Sequence, residues 1–348
     1  MDKVKIGFLG VGFMGQLAHL QNYVRIADCE VAAVCDAKPN LAKKVAEMYN
    51  IPKVYETKEE LLADKEIIAV VASQQYSLHV DLIPQILLSG KHVFTEKPLS
   101  VFADNGQKII DASIKSGKLH MVGYHKRSDL ASEYAVNIIN KWKSSGEMGK
   151  MKYIRISMPP GDWVGGSKMP YSTNESFPPS NWESGPGKFS DKEYKKYNEF
   201  VNYYIHQVNF MRYLLNEDYK LTFADRSGIL IVTESDSGIC GAIEMAAYQT
   251  SDDWQESALI TFEKGWILIE LPAPLAHQTP GKVTVFTDNG SGGLYTIPRL
   301  ANKHAMLNQA ENFIKAVKGE IPPKCNSADA KKDLLIAEDY IEYIKRYE

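Results

Sequence analysis

At 348 residues the chain is longer than a single hydrophobic core usually organises, so two domains are the default. With 44% hydrophobic and 24% charged residues and a net charge of −3, it reads as an ordinary globular protein, with no electrostatic reason to bind nucleic acid or an anionic membrane. No apolar run is long enough to span a bilayer, and Met1 leads straight into the first strand, so neither a membrane span nor a secretory leader is expected. Cys29, Cys35, Cys240 and Cys325 show neither metal-ligand spacing nor a disulfide framework; no metal site is expected, and a reducing cytoplasm is the simplest fit.

The first apolar run, Val4–Leu9, ends in Gly10-x-Gly12-x-x-Gly15, with Phe13 and Met14 inside the pattern and helical composition from Leu17 onward. Gly10 permits a tight turn out of the strand, Gly12 lets a pyrophosphate approach the backbone, and Gly15 lets the helix pack closely on the strand. The helix N-terminus then offers free N–H groups and a positive dipole end to phosphates. A second run ends in Asp36, about 20 residues past the last glycine, where a dinucleotide-binding unit places the acid that accepts from the adenosine ribose. A carboxylate there repels a 2′-phosphate, which favours NAD over NADP; Lys38 nearby softens that preference.

Strand and helix then alternate. Residues 39–49 form a helix with Leu41, Val45 and Met48 on one face, and 53–55 a short strand. Thr57 with Glu60 is a capping box opening a helix over 58–62. The run 67–72 suits a strand buried on both faces and stops at Ser73-Gln74-Gln75-Tyr76. Helix 78–88, strand 92–95, helix 102–116 and strand 119–123 complete a Rossmann-type doubly wound parallel sheet. Ligands bind beyond the carboxyl ends of such strands, which selects Gly10 to Gly15, Asp36, Ser73 to Tyr76 (with Gln74), Glu96 to Pro98 (with Lys97), Tyr124 and His125. Lys97 lies between Glu96 and Pro98, and the Lys97–Pro98 bond is a candidate for cis. Next to a nicotinamide this lysine can polarise a substrate oxygen; a solvated surface lysine is the alternative.

The second half opens with a helix over 130–143 and a strand over 152–158. The stretch 159–191, rich in Pro, Gly, Ser and Asn, carries Asp162, Trp163 and Trp182, and a loop of that length is commonly functional. Asp162 with Trp163 suits a sugar, the carboxylate for hydroxyls and the ring for a C–H face; alternatively Trp163 anchors the loop. A helix over 197–215 projects Asn202 and His206 from one face, four residues apart. From 219 to 297 the pattern turns to strands (221–225, 228–234, 240–248, 257–262, 266–271, 282–287 and 294–297), an open, mainly antiparallel sheet covered by helices. One face packs on the helices; the other, with Ile243, Met245, Ile260, Phe262 and Leu268, is expected to need a partner. Helices over 302–318 and 327–346 close the chain. The expected division is 1–124 for the dinucleotide, 125–301 for substrate and oligomerisation, and 302–348 returning toward the first domain.

Four strings are shared with one family: the glycine pattern, Ser77-Leu78-His79, the stretch from Gly90 to Ser100 that contains Glu96-Lys97-Pro98, and Gly123-Tyr124-His125-Lys126-Arg127. With them the chain resembles, over nearly its whole length, the glucose–fructose oxidoreductase / inositol dehydrogenase / rhizopine catabolism (Gfo/Idh/MocA) family. The resemblance implies that Lys97 is the catalytic-site lysine and that His79 and Glu96 lie along the cofactor. It also implies an Asp-x-x-x-His helix facing the reacting sugar: His206 fits the His, Asn202 stands at the Asp position, and Asn209 stands where an acid is common. Gln74-Gln75 replaces the family's Thr-Pro. Members of the family commonly form dimers or tetramers through the second sheet, so the resemblance implies a homodimer or homotetramer.

The leading expectation is an NAD-dependent oxidoreductase acting on a hydroxyl of a sugar, sugar acid, cyclitol or glycoside. His206 serves as general acid/base, Lys97 holds the oxygen, and Tyr124, His125, Arg127, Asn202, Asp162 and Trp163 place the substrate. A second reading keeps NAD bound and uses transient oxidation to break a glycosidic bond by elimination. A third is a cofactor-binding sensor without catalysis, against which Lys97 and His206 speak.

Overall fold

Short apolar runs rich in Val, Ile and Ala suit strands buried on both faces, and in the first third of the chain they form one parallel sheet. The computed structural model describes residues 3–159, 161–176, 187–245 and 252–347. The strands are β1 (Val4–Leu9), β2 (Cys29–Cys35), β3 (Lys53–Tyr55), β4 (Ala69–Ala72), β5 (His92–Glu96) and β6 (His120–Gly123). Their order is β3-β2-β1-β4-β5-β6, and every neighbouring pair is parallel. The order reverses between β1 and β4, the switch point at which such sheets bind ligands. A π-helical turn, Gly15–Leu20, runs into α1 (Gln21–Tyr23); α2 (Pro39–Tyr49), α3 (Lys58–Ala63), α4 (His79–Leu88) and α5 (Ala103–Ser116) follow. The capping box of α3 is in place: Glu60 N–H donates to Thr57 Oγ1 at 3.2 Å, and Thr57 N–H donates to the Glu60 carboxylate at 3.3 Å. Ile6, Phe8, Val34, Val71 and Phe94 fill the core of this sheet, with Phe313 edge-on to Phe94 and Tyr23.

The rest of the chain supplies α6 (Leu130–Ser145), β7 (Met151–Ser157), α7 (Asp191–Leu215), β8 (Tyr219–Ala224), β9 (Leu230–Ser235), β10 (Cys240–Glu244), β11 (Ser257–Phe262), β12 (Gly265–Glu270), β13 (Lys282–Asp288), β14 (Gly293–Thr296), α8 (Ala305–Val317) and α9 (Ser327–Ile344). The strands form a sheet ordered β14-β13-β12-β11-β7-β10-β9-β8, in which β7 and β10 run parallel and the other neighbours antiparallel. Helix α7 starts six residues before the expected 197. Trp182 and residues 246–248 of the strand expected over 240–248 lie outside the described residues. No helix among the described residues is long and apolar enough to cross a membrane.

One expectation about this sheet is corrected. Ile243, Met245, Ile260 and Phe262 are buried within the chain itself, none more than 6% exposed, and need no partner. Ile260 pairs with Ile267, and Leu259 with Leu268, so Leu268 points to the opposite face from Ile260. That opposite face is the half-covered one, and it carries Leu259, Trp266, Leu268 and Phe286.

By contacts the chain forms two units: Met1–Tyr124 with Lys168–Tyr194 and Gln309–Leu335, and His125–Ser167 with Lys195–Asn308 and Ile336–Glu348. The stretch Lys168–Tyr194 thus belongs with the first unit and not with the 125–301 domain expected from sequence. Hydrogen bonds from Gln16 and from the start of α2, over more than a hundred residues of chain, hold it there. The tail is likewise divided: α9 counts with the first unit up to Leu335 and with the second from Ile336.

Candidate active site

In the first unit the glycine turn has the shape its residues predict. Gly10 takes φ +88°, and a side chain there would lie 2.9 Å from Ser73 O and 2.8 Å from Gln74 Nε2, so Ser73 and Gln74 border the turn. A Cβ at Gly15 would stand 2.6 Å from Gly10 O, which is the close helix–strand approach expected of the third glycine. A Cβ at Gly12 would meet nothing within 4 Å, so the backbone there faces open ground, with Phe13 and Met14 half-buried beside it. The Asp36 carboxylate reaches across the turn, accepting from Val11 N–H at 2.7 Å and from Lys38 N–H at 2.9 Å. A glycine cradle open at Gly12 and an acid fixed at the end of β2 fit a dinucleotide, with Gly10, Gly12, Gly15 and Asp36 as the residues that would hold it.

Lys97 follows directly on β5, and its peptide bond to Pro98 is cis. The preceding Glu96 is fixed from two sides. His19 Nε2, in the π-helical turn, donates to Glu96 Oε1 at 2.7 Å, and Lys97 N–H donates to Glu96 Oε2 at 3.3 Å. Burial works against the charge on Glu96, but the contact with His19 and the Lys97 ammonium outweigh it and hold the carboxyl below its ordinary range. His79 is fully buried, and its Nδ1–H donates to Leu99 O at 3.1 Å, so it supports the backbone that follows Pro98 instead of facing open ground. Burial pushes the His79 pKa down to about 4, which keeps the ring neutral near pH 7.

The second unit carries the remaining candidates. His125, Lys126 and Arg127 lie in a buried 3₁₀ turn that begins directly after Tyr124, itself only 2% exposed. The rings of His125 and His206 meet edge to face with centroids 4.7 Å apart. Asn202 is exposed and His206 half-buried on the same side of α7. Arg127 is occupied within the protein: its Nε–H donates to Asn209 Oδ1 at 2.5 Å and its guanidinium lies over the Tyr213 ring at 5.2 Å. It therefore anchors the turn to α7. Asp162 accepts from Val164 N–H at 3.0 Å and Gly165 N–H at 3.3 Å, which shapes its own turn, while Trp163 beside it is 37% exposed.

Three features escaped the sequence reading. One is His19, a helix residue whose partner Glu96 is 77 positions away. Another is a buried chain beside the histidines: Lys126 Nζ and Gln207 Nε2 both donate to Glu256 at 2.7 Å, with the Lys126 and Glu256 side chains 3% and 1% exposed. Such a pair is retained where both charges find further partners, and here Glu256 ties the 3₁₀ turn to α7 next to His125 and His206. The third is Glu175, on the stretch joined to the first unit. No local pattern marks any of them. Among the described residues no group of three His, Cys, Asp or Glu side chains is placed to hold a metal ion.

A glycine cradle, an acid at the end of β2 and a lysine at the end of β5 on a parallel sheet suit an oxidoreductase with an NAD-binding Rossmann fold, and residues 4–124 match the family model of that description, GFO_IDH_MocA. Similarity to named relatives extends beyond these residues and takes in most of the chain. Inositol 2-dehydrogenase from Salmonella paratyphi B is 29% identical over 256 residues, covering 70% of this chain and 67% of that protein. Myo-inositol 2-dehydrogenase from Thermotoga maritima is 23% identical over 351 residues, covering 96% and 94%. The crystal structure of aldose–aldose oxidoreductase from Caulobacter crescentus superposes with a TM-score of 0.72 at 19% identity over 100% of this chain and 99% of that one, a likeness of fold.

Proposed function

We propose that the protein is an NAD-dependent dehydrogenase that transfers a hydride between a hydroxyl-bearing carbon of a cyclitol or sugar and a nicotinamide cofactor. The observation that carries this reading is Lys97 at the end of β5, held through Glu96 in the same unit as the open glycine cradle. When bound, the nicotinamide supplies the hydride acceptor or donor. In this reading the Lys97 ammonium polarises the substrate oxygen, and His206, steadied by the edge of His125, takes or returns the hydroxyl proton. Asn202 offers a hydrogen bond to the substrate. Tyr124 and Arg127 act from buried positions and shape the site without touching substrate. Asp36 supports NAD over NADP through its charge. The apolar open face of the second sheet supports a homodimer or homotetramer, and cysteines that form no disulfide among the described residues suit a reducing cytoplasm.

Redox-assisted cleavage of a glycosidic bond is not favoured: the relatives above are named as dehydrogenases. A panel of inositols, sugars and aryl glycosides, with NADH absorbance and released aglycone followed together, tests both readings. The expected result is NADH formation with at least one cyclitol or sugar and no aglycone release. Aglycone release without added NAD, and without NADH accumulating, overturns the proposal.

A further inference from the structure

Helix α2 starts just after Asp36 and has a poor cap of its own. Its N-cap residue is Lys38, whose side chain makes no capping hydrogen bond. The missing cap comes from 135 residues further on. Glu175 Oε1 accepts from Asn40 N–H at 3.0 Å, and Glu175 Oε2 accepts from Leu41 N–H at 3.1 Å. Thr173 Oγ1 donates to the same carboxylate at 2.8 Å. The strand of chain that carries Glu175 is pinned a few residues earlier on the glycine-turn side. Tyr171 N–H donates to Gln16 Oε1 at 3.2 Å, and Gln16 Nε2 donates to Tyr171 O at 2.9 Å. Gln16 is buried and also donates to Val11 O at 2.7 Å, inside the turn itself. Residues 171–175 thus form a strap from the helix after the glycine turn to the helix after Asp36, all within the first unit.

In dinucleotide-binding units the end of the second strand is where the ribose 2′ substituent is read, by an acid for a hydroxyl or by a cation for a phosphate. Here two carboxylates, Asp36 and Glu175, stand at that end, and the backbone donors of Asn40 and Leu41 that would attract an anion are already taken. Desolvation works against the charge on Glu175, but the Asn40 N–H, the Thr173 hydroxyl and the Leu41 N–H outweigh it, and Lys38, the one cation that sequence placed there, adds a smaller attraction, so the carboxyl stays below its ordinary range. We infer that Glu175 is a specificity-determining residue at the adenosine end of the cofactor site, excluding the 2′-phosphate of NADP by charge and by occupying the first N–H groups of α2.

This inference rests on the dinucleotide reading above, and equilibrium binding separates the two. Dissociation constants for NAD and NADP are measured by calorimetry on the full-length protein, its Glu175→Gln and Glu175→Ala variants, and Asp36→Ala as a reference. Thermal unfolding of each variant confirms that it is folded. The wild type is expected to bind NAD and to bind NADP more weakly. Both Glu175 variants should tighten NADP by about tenfold, the scale of removing one like-charge contact, while NAD changes by less than about threefold. The Gln variant, which keeps an acceptor for α2, is the better-folded test of charge alone. Unchanged NADP affinity in both variants, or equal loss of NAD and NADP affinity, overturns the inference while leaving the dinucleotide site standing. A wild type that binds neither cofactor overturns both.

Discussion

Glu96 shows how a residue beside the proposed catalytic lysine can matter more than its own contacts suggest. One of its oxygens faces His19 and the other the backbone N–H of Lys97, so the π-helical turn reaches the lysine through a single carboxylate. Extra width in a π turn is a recurrent device at functional sites, and here it sets His19 toward β5. Lys97→Ala is expected to lower kcat by roughly a hundredfold or more, as removal of a group at the developing oxyanion does, with the NAD dissociation constant within about threefold. His19→Ala is expected to lower kcat by about ten- to a hundredfold through misplacement of Lys97, with His19→Gln, which keeps a donor, recovering part of the loss. Steady-state kinetics beside fluorescence titration of NAD decide it; normal turnover in His19→Ala means that Glu96 holds Lys97 unaided. Asp36 and Lys97 were legible in the sequence because local spacing or a short string marks each of them. His19, Glu256 and Glu175 were not, because each acts on a partner that only the fold brings near.

At the scale of elements, strands were the easier reading, since β-branched runs and alternation are local signals. The expected 257–262 matches β11 residue for residue. Parity was harder: Ile260 and Leu268 sit on neighbouring strands, and only the register reveals that they face opposite ways. Helix ends depend on distant partners too. Asp129 caps α6 by accepting from Ala131 N–H at 2.8 Å, and it also accepts from Gly281 N–H at 3.1 Å. Burial outweighs these donors and raises its pKa from 3.8 to about 6. The folded chain therefore holds a proton that the unfolded chain has already released between about pH 4 and pH 6. Stability should fall as pH rises through that window, by about 2–3 kcal/mol from this group, and level off above it. Asp129→Asn keeps an acceptor for the cap and removes the titration. Urea midpoints taken from pH 4 to 7 should show wild type losing ground to the variant as pH rises, and parallel curves would mean that Asp129 ionises freely in the folded state.

For the molecule as a whole, two domains were legible from length and from the change of pattern near residue 125, but the strap was not. A stretch of Pro, Gly and Ser carries no mark of which unit it joins; Gln16 and the uncapped start of α2 decide that. The remaining question at this scale is what covers the open face of the second sheet. Trp266 and Phe286 stack there with centroids 5.7 Å apart, and Tyr295 packs against both. On the edge strand β14, Leu294 and Tyr295 are more than 60% exposed, and Ile297 just beyond it is 71% exposed. An apolar face ending in an unblunted edge strand invites another chain. A second copy is the occupant we propose, so the wild type should sediment above monomer mass. Leu268→Arg and Trp266→Arg place a charge in the middle of that face, on side chains that point away from the buried core. Each should shift the protein toward monomer in analytical ultracentrifugation across a concentration series. The far-ultraviolet circular dichroism should be retained, because the opposite face of the sheet is untouched. NAD affinity should also stay within about threefold, since the glycine cradle and Asp36 belong to the other unit. A wild type that remains monomeric at every concentration, or an arginine variant that keeps the wild-type mass, would remove this face as the site of assembly.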